Sequence, residues 1–239
     1  MTAQAKRVLV ACEMSATVRD AFRALGHDAW SCDLLPTEGD PRWHIQGDAI
    51  HAAYSQPWDL LIGHPECTYL SNSGAKHLYA GMKAENGPNG DRWALMGAAA
   101  SFFKALWNAP VRYKALENPI MLGHPRRLFG IPAPTQTIQP WQFGHGETKA
   151  TCLWLHGLPP LVPTNIVKGR EQRIWRMGPG PERKKERSRT FQGIADAMAS
   201  QWGGVARCEH GIRWPWQCDD CDQEFLKQRA RAINETEQR

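Results

Sequence analysis

A chain of 239 residues, 42% apolar and 22% charged, has the make-up of a soluble globular protein long enough for one sizeable α/β domain with an appendage. Its apolar runs are too short to span a bilayer, and the opening "MTAQAKRVLVACE" lacks the apolar core and cleavage site of a secretory signal, so no membrane partner and a cytoplasmic location are expected. The net charge of +5 is concentrated between Lys168 and Arg189, where nine Lys/Arg face three Glu, and the seven cysteines fit reduced thiols or metal ligands better than a disulfide framework.

In chain order, "KRVLVAC" reads as a buried strand. "SATVRDAFRALG" follows as a helix that Ser15 or Thr17 can cap, with Val18, Phe22 and Leu25 on one face and Gly26 at its end. "HDAWSCDLL" is the next strand, "HIQGDAI" a loop, and "WDLLIGHP" a third strand. After a Gly- and Pro-bearing loop, a long helix runs from about Arg92 to Trp107. "RYKALENP" is a fourth strand, "TQTIQPWQF" and "TKATCLWL" are further strands, and "TFQGIADAMASQWG" is an amphipathic closing helix. Strands alternating with helices imply a mostly parallel sheet, whose ligands sit beyond the carboxyl ends of the strands. Residues 1–204 form this domain, with the basic segment 168–189 as a loop suited to polyphosphate backbones, and residues 205–239 form a separate tail.

Four strand ends carry polar groups: Glu13, Asp33, Cys67 and Glu117. The first turn has no GxGxxG, which argues against a dinucleotide, whereas an adenosyl cofactor needs a tight turn and a ribose-binding acid. Asp33 stands about twenty residues past the turn, where such an acid is expected. Asp48 could accept a hydrogen bond from an exocyclic amine or simply serve its own turn. Glu117, closing an apolar strand and followed by Asn118 and Pro119, would be costly without a partner. It is suited to general-acid work or, equally, to a cap.

Taken together, the turn and its acids, "HPECTYLSNSG", "ENP" and the late helix resemble the DNA cytosine-5 methyltransferases, in particular the compact phage-type members, over residues 6 to 204. The resemblance implies a Rossmann-like S-adenosylmethionine-dependent methyltransferase fold acting on DNA. It implies that Cys67 adds to cytosine C6 and that Glu117 holds N3 and the exocyclic amine of a base flipped out of the stack. By the same resemblance Asp33 binds the cofactor ribose and Asp48 its adenine, while Glu13 and Ser15 line the turn. Pro65 shapes the cysteine loop, Asn118 follows the acid, Ser71 and Ser73 order the loop against phosphate, and Lys149 is among the polar groups standing where a Gln/Arg motif would be. Glu66 replaces the usual second proline, and a carboxylate there opposes thiolate formation unless it points away. Modification of a free cytosine nucleotide, or DNA binding by a degenerate methyltransferase domain, are the alternative readings.

In the tail, Cys208, His210, Cys218 and Cys221 form a C-x-H and C-x-x-C arrangement, which matches a small structural zinc module or, alternatively, a set of reduced thiols.

Overall fold

The computed structural model describes residues 5–178 and 180–204. Seven strands, β1 (Arg7–Ala11), β2 (Asp28–Asp33), β3 (His44–Gln46), β4 (Leu60–Gly63), β5 (Tyr113–Pro119), β6 (Gln136–Ile138) and β7 (Thr151–His156), form one sheet in the order β3-β2-β1-β4-β5-β7-β6. The first five strands pair in parallel, whereas β7 runs antiparallel to both β5 and β6. The order reverses at β1, which pairs with β2 on one side and β4 on the other. That makes the β1/β4 boundary the switch point where an open α/β sheet leaves a crevice. This mixed, mostly parallel sheet is the α/β frame expected from the alternation of strands and helices.

The central strands are apolar at successive positions because both of their faces are covered. Val8, Val10, Leu60 and Ile62 pack under α1 (Thr17–Ala24) and α7 (Gln192–Gly203). Leu9, Leu61 and Leu116 pack under α2 (Ala49–Ser55) and α3 (Gly90–Trp107). Trp202, fully buried, anchors α7, and the buried Lys6 donates from Nζ to its carbonyl at 2.7 Å. Gly193 lets the first turn of α7 rest on the turn before β7: a Cβ there would lie 1.9 Å from the Phe143 carbonyl oxygen. The Gly193 N–H donates to His145 Nε2 at 3.0 Å.

Three local expectations change. "HIQGDAI" is β3 followed by the start of α2, with the Asp48 carboxylate accepting from the His51 N–H at 2.9 Å. At the start of helix α1, Ser15 Oγ accepts only the Thr17 N–H, at 3.4 Å, and the Thr17 hydroxyl donates to Ser15 Oγ and caps nothing. The next two orphan groups, the Val18 and Arg19 N–H, are met by the Glu13 carboxylate at 2.7 and 3.2 Å. The basic segment is not a plain loop, since it contains α5 (Arg173–Arg176) and α6 (Pro181–Ser188); a further helix, α4 (Gly123–Phe129), follows β5. No helix among the described residues is long and apolar enough to cross a membrane.

Candidate active site

The cysteine loop begins where β4 stops. Gly63 leaves room for Leu116 on β5, since a Cβ would meet its side chain at 2.6 Å. The His64 N–H then donates to the Ala11 carbonyl at 2.9 Å, extending the ladder one residue beyond the strand. Pro65 is buried, and its carbonyl accepts from Asn118 Nδ2 at 2.8 Å. Asn118 therefore ties the loop to β5. The Leu70 and Ser71 N–H groups both donate to the Cys67 carbonyl, at 3.1 and 2.9 Å, so the cysteine is held by a closed turn. Backbone bonds from Asn72 to Ile120 and from Leu122 to Leu70, each 2.8 Å, fix that turn to the chain leaving β5. Ser71 and Ser73 hydroxyls lie 2.9 Å apart, Ser71 buried and Ser73 exposed.

Cys67 is partly buried. Burial pushes its thiol up from the ordinary value, as does the Glu117 charge, while Arg187 and Lys149 pull it down. Arg187, on α6, places Nη2 3.9 Å from the sulfur. The carboxylate that opposes the thiolate is thus Glu117. Glu66 is exposed and accepts from the Thr68 hydroxyl at 2.8 Å. Because Arg187 lowers a raised thiol, Arg187→Gln is expected to move alkylation by iodoacetamide to higher pH, with the rate at pH 8 falling roughly threefold to tenfold. An unchanged rate–pH profile would separate Arg187 from the thiol.

Glu117 lies on β5 opposite Leu153 of β7. Burial pushes its carboxyl up, but the His64 hydrogen bond and the Lys149 and His64 charges outweigh burial, leaving the group below the usual carboxylate range. His64 Nδ1 is 3.1 Å from Glu117 Oε2. An ionised carboxylate only accepts, so Nδ1 carries the hydrogen. Lys149 reaches this edge because β7 is antiparallel: the residues before Thr151 lie at the end of the sheet where β5 finishes. Lys149 Nζ donates to the Arg189 carbonyl at 3.0 Å, and the Lys149 N–H donates to Gln139 Oε1 at 3.0 Å.

On the other side of the switch point, Asp33 and Asp48 both act on the Cys12 and Cys32 thiols, which places the two acids around one edge of β1 and β2. Burial and these charges push Cys32 up to about 11 and hold Cys12 well above its ordinary value. Asp33 Oδ1 accepts from the Leu35 N–H at 2.9 Å, and Leu34 and Leu35 beside it are strongly exposed. Cys12 has φ 60°, a left-handed turn that swings the chain away from the sheet. Glu13 is fully committed to this turn: besides α1, it accepts from the Ser15 hydroxyl at 3.3 Å, and burial pushes its carboxyl up.

The basic segment closes over both halves. Lys185 (3.1 Å) and Arg189 both pair with Glu38, whose N–H donates to the Met14 carbonyl at 2.8 Å. Arg173 pairs with Glu147 and Glu186, each at 2.9 Å.

Cys67, Glu117, Pro65, Asn118 and Lys149 are therefore gathered in one place, with Asp33 and Asp48 in a second. Ser15 and Glu13 support the turn between them. Two residues of the site, His64 and Arg187, escaped sequence reasoning. His64 stood within the quoted "GHPECTYL", but its meaning depends on a carboxylate 53 positions away, and Arg187 was one of nine like charges. Cys208, His210, Cys218 and Cys221 lie outside the described residues.

No family model matches the chain, and no curated protein matches it. Among solved structures it is similar to one from E. coli described as a proposed DNA modification methyltransferase encoded within a prophage, with a TM-score of 0.43 and 13% identity. That match covers 73% of this chain and 56% of the other, so the chain spans little more than half the length of that neighbour.

Proposed function

We propose that the protein methylates C5 of cytosine in DNA, using S-adenosylmethionine and a covalent adduct between Cys67 and C6. The observation that carries this reading is the grouping of a cation-contacted thiol with a buried, hydrogen-bonded carboxylate at the carboxyl edge of the sheet. Arg187 and Lys149 favour the thiolate needed for addition. Glu117 is held by His64 on one oxygen, leaving the other for N3 and the exocyclic amine, where charge develops as sulfur adds. A cytosine in a duplex must leave the stack to meet these groups.

The residues beyond β1 and β2 fit the cofactor by their chemistry. Asp33 supplies a carboxylate for ribose hydroxyls, Asp48 one for the adenine amine, and exposed Leu34 and Leu35 supply apolar surface beside them. Glu13 supports the turn rather than a ligand, since both of its oxygens are taken up by the protein. Bound S-adenosylmethionine supplies an electrophilic methyl group. The basic segment, with its Lys and Arg paired to acids that a phosphate could replace, suits a backbone-dominated DNA contact. The tail cysteines and His210 would add a structural zinc site.

Incubation with cofactor and duplex DNA carrying 5-fluorocytosine tests this reading. Fluorine cannot leave as a proton, so a denaturation-resistant protein–DNA adduct through Cys67 is expected. Adduct with the mononucleotide alone would shift the substrate to free nucleotides, and no adduct on varied DNA would remove the mechanism.

A further inference from the structure

The reading above takes from His64 only its hold on one Glu117 oxygen, and the residue is itself nearly buried at the site. Its side chain is 6% exposed. Nδ1 contacts Glu117, and Nε2, sealed from solvent, has no hydrogen-bond partner among the described residues. A ring retained for packing has no need of polar atoms, and one retained as a structural bridge would satisfy both nitrogens. The nitrogen that is satisfied faces the carboxylate of the site. The ring is held there by its own backbone bond to Ala11 and by Pro65, whose carbonyl is tied to Asn118, the residue next to Glu117.

We propose that His64 is a positioning residue for Glu117: its Nδ1–H holds Oε2 and leaves Oε1 to meet the pyrimidine. It also stabilises the carboxylate, ionised in the free protein, to which Glu117 returns after passing to N3 a proton taken up from solvent water as the base binds. This rests on the cytosine reading of the Cys67 site. In the addition step the sulfur lone pair forms the S–C6 bond, and the C5=C6 pair moves to C4–C5. The C4=N3 pair then takes the proton, so the N3–H bond forms as the Glu117 O–H bond breaks. His64 keeps its Nδ1 hydrogen throughout. Expulsion of the thiolate runs the same transfers backwards.

The charged groups of the site reach it from several elements. Glu13 from the turn after β1 and Glu117 from β5 act on the ring itself, Lys149 from before β7 acts on Glu117 and on Cys67, and Arg187 from α6 acts on the thiol. Glu13 interacts with His64 but has its own oxygens occupied, so it sets a field and does not compete for Nδ1.

The test compares the full chain with His64→Phe, which keeps a ring but no donor, and His64→Asn, which keeps an N–H near Nδ1. Two readouts are taken: the rate of adduct formation with 5-fluorocytosine DNA, and the titration of the Glu117 carboxyl by carbon-13 NMR without DNA. His64→Phe is expected to slow trapping at least tenfold and to move the Glu117 titration upward, and His64→Asn to recover part of both. Trapping by His64→Phe at the wild-type rate, or an unmoved Glu117 titration, overturns the proposal. Should the wild-type protein form no adduct, the cytosine reading fails, and the carboxyl titration alone decides whether His64 governs Glu117. A variant that has merely lost its fold shows collapsed NMR dispersion, and His64→Gln then replaces it as the donor-displaced variant, judged by the same two readouts.

Discussion

Cys67→Ala is expected to lower methyl transfer to duplex DNA by about 10⁴-fold or more and to abolish trapping by 5-fluorocytosine. The expectation is large because sulfur addition activates C5; without it no other group on this edge converts the ring into a carbon nucleophile. The backbone around Cys67 is held by bonds to its carbonyl, not to its side chain, so removal of the sulfur leaves the loop in place. The melting temperature is expected to move little, since a partly buried sulfur leaves only a small cavity, worth on the order of 1 kcal/mol. Labelled-methyl incorporation and thermal unfolding measured on the same preparation separate chemistry from folding. Full incorporation by the alanine variant would eliminate the covalent route.

Glu117→Gln carries the second large effect, with a pair of opposite signs. Methyl transfer is expected to fall by about 10²–10³-fold, or roughly 3–4 kcal/mol, because a neutral amide neither delivers a proton to N3 nor balances the charge that develops there. The same substitution removes the negative charge that pushes the Cys67 thiol up. With a folded-state thiol raised above its ordinary value, losing one raising cause lowers it, so the thiolate fraction at a given pH rises. Alkylation of Cys67 by iodoacetamide is therefore expected to become faster in Glu117→Gln while methylation becomes slower. Both rates falling together would mean that the substitution had disturbed the loop, and both staying constant would place Glu117 outside the site.

Much of the frame was legible from residue order. "RVLVA", "DLLIG" and "YKALE" are apolar runs bounded by turns, and they form the central parallel strands β1, β4 and β5. Helices α3 and α7 occupy the two longest segments read as helix. The short "HIQ" strand carried too few residues to show a period, and α6, in "PERKKERS", has no apolar face that would have marked it as helix. The acids at strand ends were visible as exceptions, since a polar group closing an apolar run asks for a partner.

What their partners are depends on packing between distant segments. Asp48 and Glu13 show the limit: residue order presents both as acids beside a cofactor turn and does not show that Asp48 also meets a backbone N–H of α2 and Glu13 two of α1, because N–H groups at a helix start are the nearest unmet donors. Glu66 was a threat to the thiol on sequence distance alone, and the turn at Cys67 leaves it exposed beside Thr68.

By itself, then, the sequence determined the parallel α/β frame, the cysteine on its loop after β4 and the acid on β5, because these depend on local hydrophobic pattern and turn chemistry. Only the tertiary structure decided the electrostatics of the site. It turned β7 antiparallel to bring in Lys149, laid α6 so that Arg187 meets a sulfur 120 positions away, and set His64 against Glu117. Charge interactions act through space, over ångströms, and the pattern of neighbours along the chain carries no record of which charges will meet.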